Sequence, residues 1–236
     1  MTNCLLASTS TIFGGGYLDY LFDALRDLFQ ETDEVLFIPY ARPGGTTYDA
    51  YTKIAQEGFR YIDKKIVGIH TFKDPIKAIQ NAKGIFTGGG NSFVLVNTLY
   101  QNNLLPVLKE RITSGTPYLG TSAGSNIAGP NIKTTNDMPI VYPPNFKTLE
   151  IVPFNINPHY LDPDPKSKHK GETRETRIKE FHGFNSIPVI GLREGSWIRI
   201  LNNELTLKGG NLSVRIFEKD KEAYELPPDS SLNFLQ

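Results

Sequence analysis

Short apolar runs alternate with amphipathic segments through the first 130 residues, and no other feature of the chain restricts its fold as much. Cys4 to Ala7 is an apolar run; beyond a Gly14-Gly15-Gly16 turn, Leu18, Leu21, Phe22, Leu25, Leu28 and Phe29 recur at helical spacing. Glu34 to Pro39 predicts a second strand and Tyr48 to Phe59 a second helix. Ile66 to Ile69 predicts a third strand, Asp74 to Gln80 a helix capped by Asp74 with Pro75 in its first turn, and Gly84 to Thr87 a fourth strand. A helix over Phe93 to Leu99, another over Leu104 to Thr113, and the apolar pair Tyr118-Leu119 continue the series. Strands separated by helices cannot pair as tight hairpins, so they form a parallel sheet covered on both faces, with functional loops at the carboxyl ends of its strands. The expected class is therefore α/β, a mostly parallel sheet flanked by helices.

Beyond residue 130 the pattern changes. Pro130, Pro139, Pro143, Pro144, Pro153, Pro158, Pro163 and Pro165 break the stretch into loops and short extended pieces, although Tyr142, Phe146, Ile151, Phe154 and Tyr160 favour ordered packing. Thr173 to Phe181 returns to helix and Ile187 to Gly191 to strand. Ser196 to Leu201, Glu204 to Leu207 and Leu212 to Phe217 read as C-terminal antiparallel strands joined by Asn202-Asn203 and Gly209-Gly210. The tail from Pro227 is expected to be loosely held. Composition does not shift midway, so residues 1–236 are expected to form one domain.

Charge excludes some classes of partner. Lys plus Arg and Asp plus Glu each number 25, so no bulk field draws the chain to nucleic acid or to a membrane surface. The single cysteine, Cys4, lies among Leu5, Leu6 and Ala7 and reads as a buried strand thiol, which leaves no disulfide to form. Without a signal-peptide pattern or a long apolar run, the expected location is the cytoplasm. The histidines lack ligand spacing and one cysteine cannot build a thiolate site, so neither a metal nor a cofactor is expected.

Chemistry concentrates in Gly120-Thr121-Ser122-Ala123-Gly124. Gly-x-Ser-x-Gly between a strand and a helix has the form of a nucleophile elbow, whose small residues let strand and helix close while the serine hydroxyl stays exposed; a glycine-rich turn without chemistry would use the same residues. A serine needs a base. His70, His159, His169 and His182 are available; His70 and His182 sit in regular segments, whereas His159 lies in Asn157-Pro158-His159-Tyr160 within the irregular stretch. Asp137 and Glu194 are candidate acids, each also an ordinary turn residue. The order Ser122, Asp137, His159 matches an α/β-hydrolase formally, but Asp137 follows Ser122 too closely for that fold. The amides of Ala123 and of Gly89 or Gly90 are candidate oxyanion donors, and the Gly88-Gly89-Gly90 turn lacks the Lys-Ser/Thr of a phosphate loop.

Six stretches together carry a resemblance: Gly88-Gly89-Gly90-Asn91, Gly120 to Asn126, Thr134 to Ile140, Ile156-Asn157-Pro158-His159, Gly171-Glu172-Thr173-Arg174 and Gly191-Leu192-Arg193-Glu194-Gly195. In this order, over nearly the whole chain, they resemble the peptidase E (α-aspartyl dipeptidase) family. The resemblance implies a class I glutamine amidotransferase-like fold and a cytoplasmic serine peptidase that cleaves small dipeptides with an unblocked N-terminal aspartate; a homodimer is compatible with it. Matched by position, Ser122 is the nucleophile, His159 the base and Asp137 the acid, with Glu194 a second acid; which of the two orients the imidazole stays open. Arg174 matches the arginine that recognises the substrate aspartate, a role that suits a planar guanidinium; alone it reads as a solvated helix residue paired with Glu175 or Glu172. A cyanophycinase-like peptidase and a non-catalytic module that binds small anions are the alternatives.

Overall fold

The computed structural model describes residues 1–164, 166 and 171–235. In chain order the first part runs β1 (Asn3–Ala7), α1 (Phe22–Leu28), β2 (Glu34–Ile38), α2 (Tyr48–Arg60), β3 (Lys65–Gly68), α3 (Pro75–Asn81), β4 (Ile85–Thr87), α4 (Ser92–Gln101), α5 (Leu105–Thr113), β5 (Tyr118–Thr121) and α6 (Ala123–Asn126). Helix starts follow the expected capping chemistry. The side chains of Thr47, Asp74 and Asn91 accept from the amides of Ala50, Lys77 and Val94, satisfying donors that the first turn of each helix leaves unpaired.

The rest of the chain supplies β6 (Asn155–Pro158), α7 (Arg174–His182), β7 (Val189–Leu192), β8 (Trp197–Leu201), β9 (Glu204–Lys208), β10 (Val214–Phe217) and β11 (Tyr224–Leu226). Two sheets result. The larger has the order β3-β2-β4-β5-β1-β8-β9, its first five strands parallel and β8 and β9 antiparallel to their neighbours. Leu25, Leu28, Tyr51, Ala55 and Phe59 of α1 and α2 pack on one face, while α3 to α6 bury Ile79, Leu95, Leu99, Leu108 and Ile127 against the other. Because β4 and β5 lie between β1 and β2, the loops after β4 and β5 open where the chain reverses its direction of travel across the sheet, the usual place for a site.

The smaller sheet has the order β11-β10-β7-β6, with β6 and β7 parallel. Its β6 lies inside the proline-rich stretch and escapes sequence reading because it spans four residues and ends on a proline. Asparagines, more than prolines, order that stretch: Asn155 Nδ2 donates to Asn131 Oδ1 (3.0 Å), Asn157 Nδ2 to the Thr134 carbonyl (2.7 Å) and Asn136 Nδ2 to the Pro158 carbonyl (2.8 Å).

Two expectations need correction. Asn202-Asn203 does join β8 to β9, both residues with positive φ, but Gly209-Gly210 closes no hairpin; it passes the chain from the large sheet to the small one. The tail from Pro227 is held, since Leu232 is fully buried and the backbone pairs Leu207 to Ser230 and Leu232 to Leu205, both at 2.9 Å. Apolar side chains at 232 and 235 supply the burial that a polar tail would lack. Among the described residues, no helix is long and apolar enough to cross a membrane.

Candidate active site

Ser122 is the first residue past β5 and has φ 52° and ψ −111°, a conformation that costs a residue with a side chain ~1–3 kcal/mol and persists only where its surroundings enforce it. They do so here. The Ser122 amide donates to the Ala7 carbonyl (3.1 Å), and its carbonyl accepts from the amides of Ser125 and Asn126 (both 2.9 Å). The flanking glycines are needed for close approach: a Cβ on Gly120 would fall 2.5 Å from the Gly124 carbonyl oxygen, and one on Gly124 would overlap the Thr87 carbonyl. The elbow expected from the sequence thus has the backbone that presents a hydroxyl.

His159 is the first residue past β6 and also has a positive φ, 53°. Its Nε2 lies 2.9 Å from Ser122 Oγ, and its Nδ1 lies 2.6 Å from Glu194 Oε1. Glu194 stands in the turn after β7, closed by Gly195 at φ +87°. A carboxylate on Nδ1 selects the tautomer that keeps its proton there and leaves Nε2 free to accept from a serine hydroxyl. The structure brings Glu194 to the imidazole and does not bring Asp137. Asp137 Oδ2 instead accepts from the Ser92 amide (2.7 Å) and from Thr135 Oγ1 (3.0 Å), tying its loop to the start of α4. Local sequence cannot choose between the two acids, because the choice depends on how β6 and β7 lie side by side.

Sequence reading missed Ser8. This fully buried residue follows β1, and its Oγ donates to the Leu192 carbonyl (2.8 Å) while accepting from the His159 amide (2.9 Å). One hydroxyl therefore joins the end of β1, beside the Ser122 turn, to the ends of the two strands that carry His159 and Glu194. Arg193 fixes the same turn from outside, with paired hydrogen bonds to Asp162 (2.9 and 2.7 Å) and to Glu225 (2.8 and 3.0 Å). Local sequence gives neither residue its role, since both act through partners far along the chain.

Gly89 faces the serine so closely that a Cβ there would lie 3.0 Å from Ser122 Cβ and 3.6 Å from its Oγ. Among the described residues, the amides of Gly89, Gly90 and Ala123 donate to nothing, so each is free to meet an acceptor. Arg174 opens α7 and is half-buried. Burial, and then Arg177, hold its guanidinium below the ordinary arginine value, while Asp137, Tyr160 and Glu194 pull the other way. Those acids are near, yet Arg174 makes no hydrogen bond among the described residues; Glu175 pairs with Lys179 and Arg215, and Glu172 with Arg177. It is not the solvated, paired helix residue that its local sequence allows.

The other histidines are engaged elsewhere: His70 Nε2 lies 2.8 Å from Asp49, and His182 Nε2 lies 3.0 Å from the Ile187 carbonyl. His169 lies outside the described residues. Among the described residues, no group of three or more His, Cys, Asp or Glu is placed to hold a metal ion.

Known proteins resemble nearly the whole chain. The model of peptidase family S51 matches residues 4–208. A Streptomyces coelicolor protein named Peptidase E is 46% identical over 235 residues, 99% of this chain and 94% of that one. A Drosophila melanogaster protein named Probable alpha-aspartyl dipeptidase is 44% identical over 236 residues, 99% of this chain and 97% of that one. In fold the chain is similar to the crystal structure of a peptidase from an acI-B1 actinobacterium, with a TM-score of 0.74 at 16% identity over 98% of this chain and 96% of that one.

Proposed function

The chain belongs to peptidase family S51, and on that premise we propose that it is an α-aspartyl dipeptidase, hydrolysing Asp-X dipeptides with a free amino terminus through an acyl-enzyme on Ser122. One observation carries this reading: the unbroken chain Ser122 Oγ, His159 Nε2, His159 Nδ1, Glu194 Oε1, beside a half-buried arginine with no hydrogen-bonded partner among the described residues. His159 takes the hydroxyl proton as Ser122 attacks the scissile carbonyl, and Glu194 stabilises the imidazolium that forms. The amides of Ala123 and of Gly89 or Gly90 receive the oxyanion. His159 then protonates the leaving amine, and water, activated by the same imidazole, releases aspartate.

Arg174 holds the side-chain carboxylate of the substrate as a planar fork. Asp137 is reassigned: with Oδ2 held by Ser92 and Thr135, Oδ1 is left for the α-ammonium, which accounts for the need of an unblocked terminus. The nucleophile comes from the large sheet and the base and acid from the small one, so both sheets serve one peptidase domain over residues 1–236. The reading extends to a cytoplasmic enzyme whose partner is a free dipeptide rather than a nucleic acid or a membrane, in keeping with balanced charges.

Hydrolysis of Asp-Leu beside Glu-Leu, Asn-Leu and N-acetyl-Asp-Leu tests it. Cleavage of Asp-Leu alone is expected; comparable turnover of Asn-Leu or of the acetylated peptide would contradict the roles given to Arg174 and Asp137.

A further inference from the structure

A zwitterionic Asp-X dipeptide carries three charges at neutral pH, and the reading above accounts for two. The carboxylate of the leaving residue has no partner among Ser122, His159, Glu194, Asp137 and Arg174. A second guanidinium, that of Arg42, lies near the Gly89 turn that faces the serine. Arg42 lies just past the carboxyl end of β2, after Ala41, whose carbonyl accepts from the Asn91 amide (2.7 Å). That loop lies so tightly against the Gly88–Asn91 turn that a Cβ on Gly90 would overlap the Ala41 carbonyl.

The guanidinium of Arg42 lies 4.2 Å above the ring of Tyr51, whose hydroxyl donates to the Gly89 carbonyl (3.2 Å). Gly89 is the residue whose Cβ would come within 3.6 Å of Ser122 Oγ. Tyr51 belongs to the core beneath α1 and α2, whereas Asp137, near Arg174, is tied to α4 on the opposite face. Arg42 thus adjoins the serine turn through Tyr51 and Gly89, and Arg174 lies near Asp137 and Glu194.

Arg42 is as unusual in its bonding as Arg174. Of the half-buried arginines among the described residues, Arg111, Arg193, Arg199 and Arg215 all donate hydrogen bonds, while Arg42 and Arg174 donate none. Arg42 Nε is shut off from solvent without a partner among the described residues. A guanidinium fixed by an aromatic face rather than by a carboxylate keeps its donor fork open for an anion. Two extended residues span only about 7 Å, so a substrate attacked at Ser122 brings its terminal carboxylate into this neighbourhood.

Resting on the dipeptidase reading, we infer that Arg42 binds the α-carboxylate of the leaving residue and thereby restricts the enzyme to peptides that end one residue after the scissile bond. In a longer peptide the same position carries a neutral amide, and the charge-assisted contact is lost.

The test compares Asp-Leu with Asp-leucinamide, which differ only in that carboxylate, for wild type, Arg42→Gln and Arg42→Lys, with melting temperatures to verify folding. Wild type is expected to prefer Asp-Leu by about 10- to 100-fold in kcat/KM, as for a hydrogen bond to a charged group. Arg42→Gln should lose about that factor on Asp-Leu and almost nothing on the amide, with Arg42→Lys between. Equal losses on both substrates, no loss on either, or a wild type indifferent to the carboxylate would overturn the inference. Should the glutamine variant not fold, the lysine variant and the wild-type preference decide. Wild-type turnover of neither substrate would count against the dipeptidase reading itself, whereas equal turnover of both would count against Arg42 alone.

Discussion

Replacing Glu194 by glutamine keeps an oxygen that can accept from His159 Nδ1 but removes the charge that stabilises the imidazolium. Carboxylate and imidazole meet at 2.6 Å, with side chains 44% and 36% exposed, so their interaction is neither fully screened nor fully buried. With charge centres about 4 Å apart, the Coulomb energy is about 1 kcal/mol in water and about 4 kcal/mol at an effective dielectric constant of 20. Partial exposure puts the pair between these limits, at about 2–3 kcal/mol, which is a loss of about 30- to 150-fold in kcat. KM for Asp-Leu should change little, because the charge acts once the proton has moved. Asp137→Asn should show the opposite division, raising KM for Asp-Leu more than it lowers kcat, because in the proposed reading its carboxylate holds the substrate ammonium. Saturation kinetics of both variants on Asp-Leu decide the matter. A Glu194→Gln enzyme within a few-fold of wild-type kcat, or an Asp137→Asn enzyme with the larger kcat loss, would refute the assignment.

Three further outcomes are expected. Ser8→Ala leaves the His159 amide without its acceptor, while the Leu192 carbonyl keeps the Tyr160 amide, at a cost of about 1–3 kcal/mol in unfolding free energy, and kcat should fall with KM nearly unchanged; urea titration and steady-state kinetics check both. Arg174→Ala should cost about 2–3 kcal/mol in transition-state stabilisation for Asp-Leu, seen as kcat/KM, while any residual turnover of Asn-Leu stays the same. Burial raises the Glu225 carboxyl, but hydrogen bonds from Arg193 and Ser213, and the Arg193 charge, outweigh it and bring the group down to about 2. A depressed carboxyl stabilises the fold above its unfolded value of about 4.3 and loses that contribution as pH falls towards 2. Melting temperatures of wild type and Glu225→Gln should therefore differ by a constant amount above pH 5 and converge below pH 4.

The parallel sheet was legible because each of its strands is an apolar run bounded by helical periodicity, so burial alone identifies it. The second sheet was much less so. Its β6 consists of Asn155, Ile156, Asn157 and Pro158, two of them polar residues whose buried side chains bond to the 131–136 loop, and such a run carries no hydrophobic signature. The elbow around Ser122 could be seen for the opposite reason: its glycines answer local contacts between a strand and the helix that follows it. His159 was reachable as a histidine in an irregular stretch, and both acids were named, but the choice between them was not legible. Asp137 and Glu194 stand in equally plain turns, and only the parallel pairing of β6 with β7 brings Glu194 alongside the imidazole. Ser8, Arg42 and Arg193 lie further still from what a local pattern records, since each matters through an element distant in the chain.

The most direct measurement is the rate of Asp-Leu hydrolysis by wild type and by Ser122→Ala, prepared in parallel and shown to melt alike, with intact mass recorded during turnover. The account predicts cleavage by wild type through an aspartyl adduct on Ser122, and a variant at least a thousandfold slower, on the order expected when the nucleophile of a serine triad is removed. A Ser122→Ala enzyme that retained a tenth or more of the wild-type rate would contradict it.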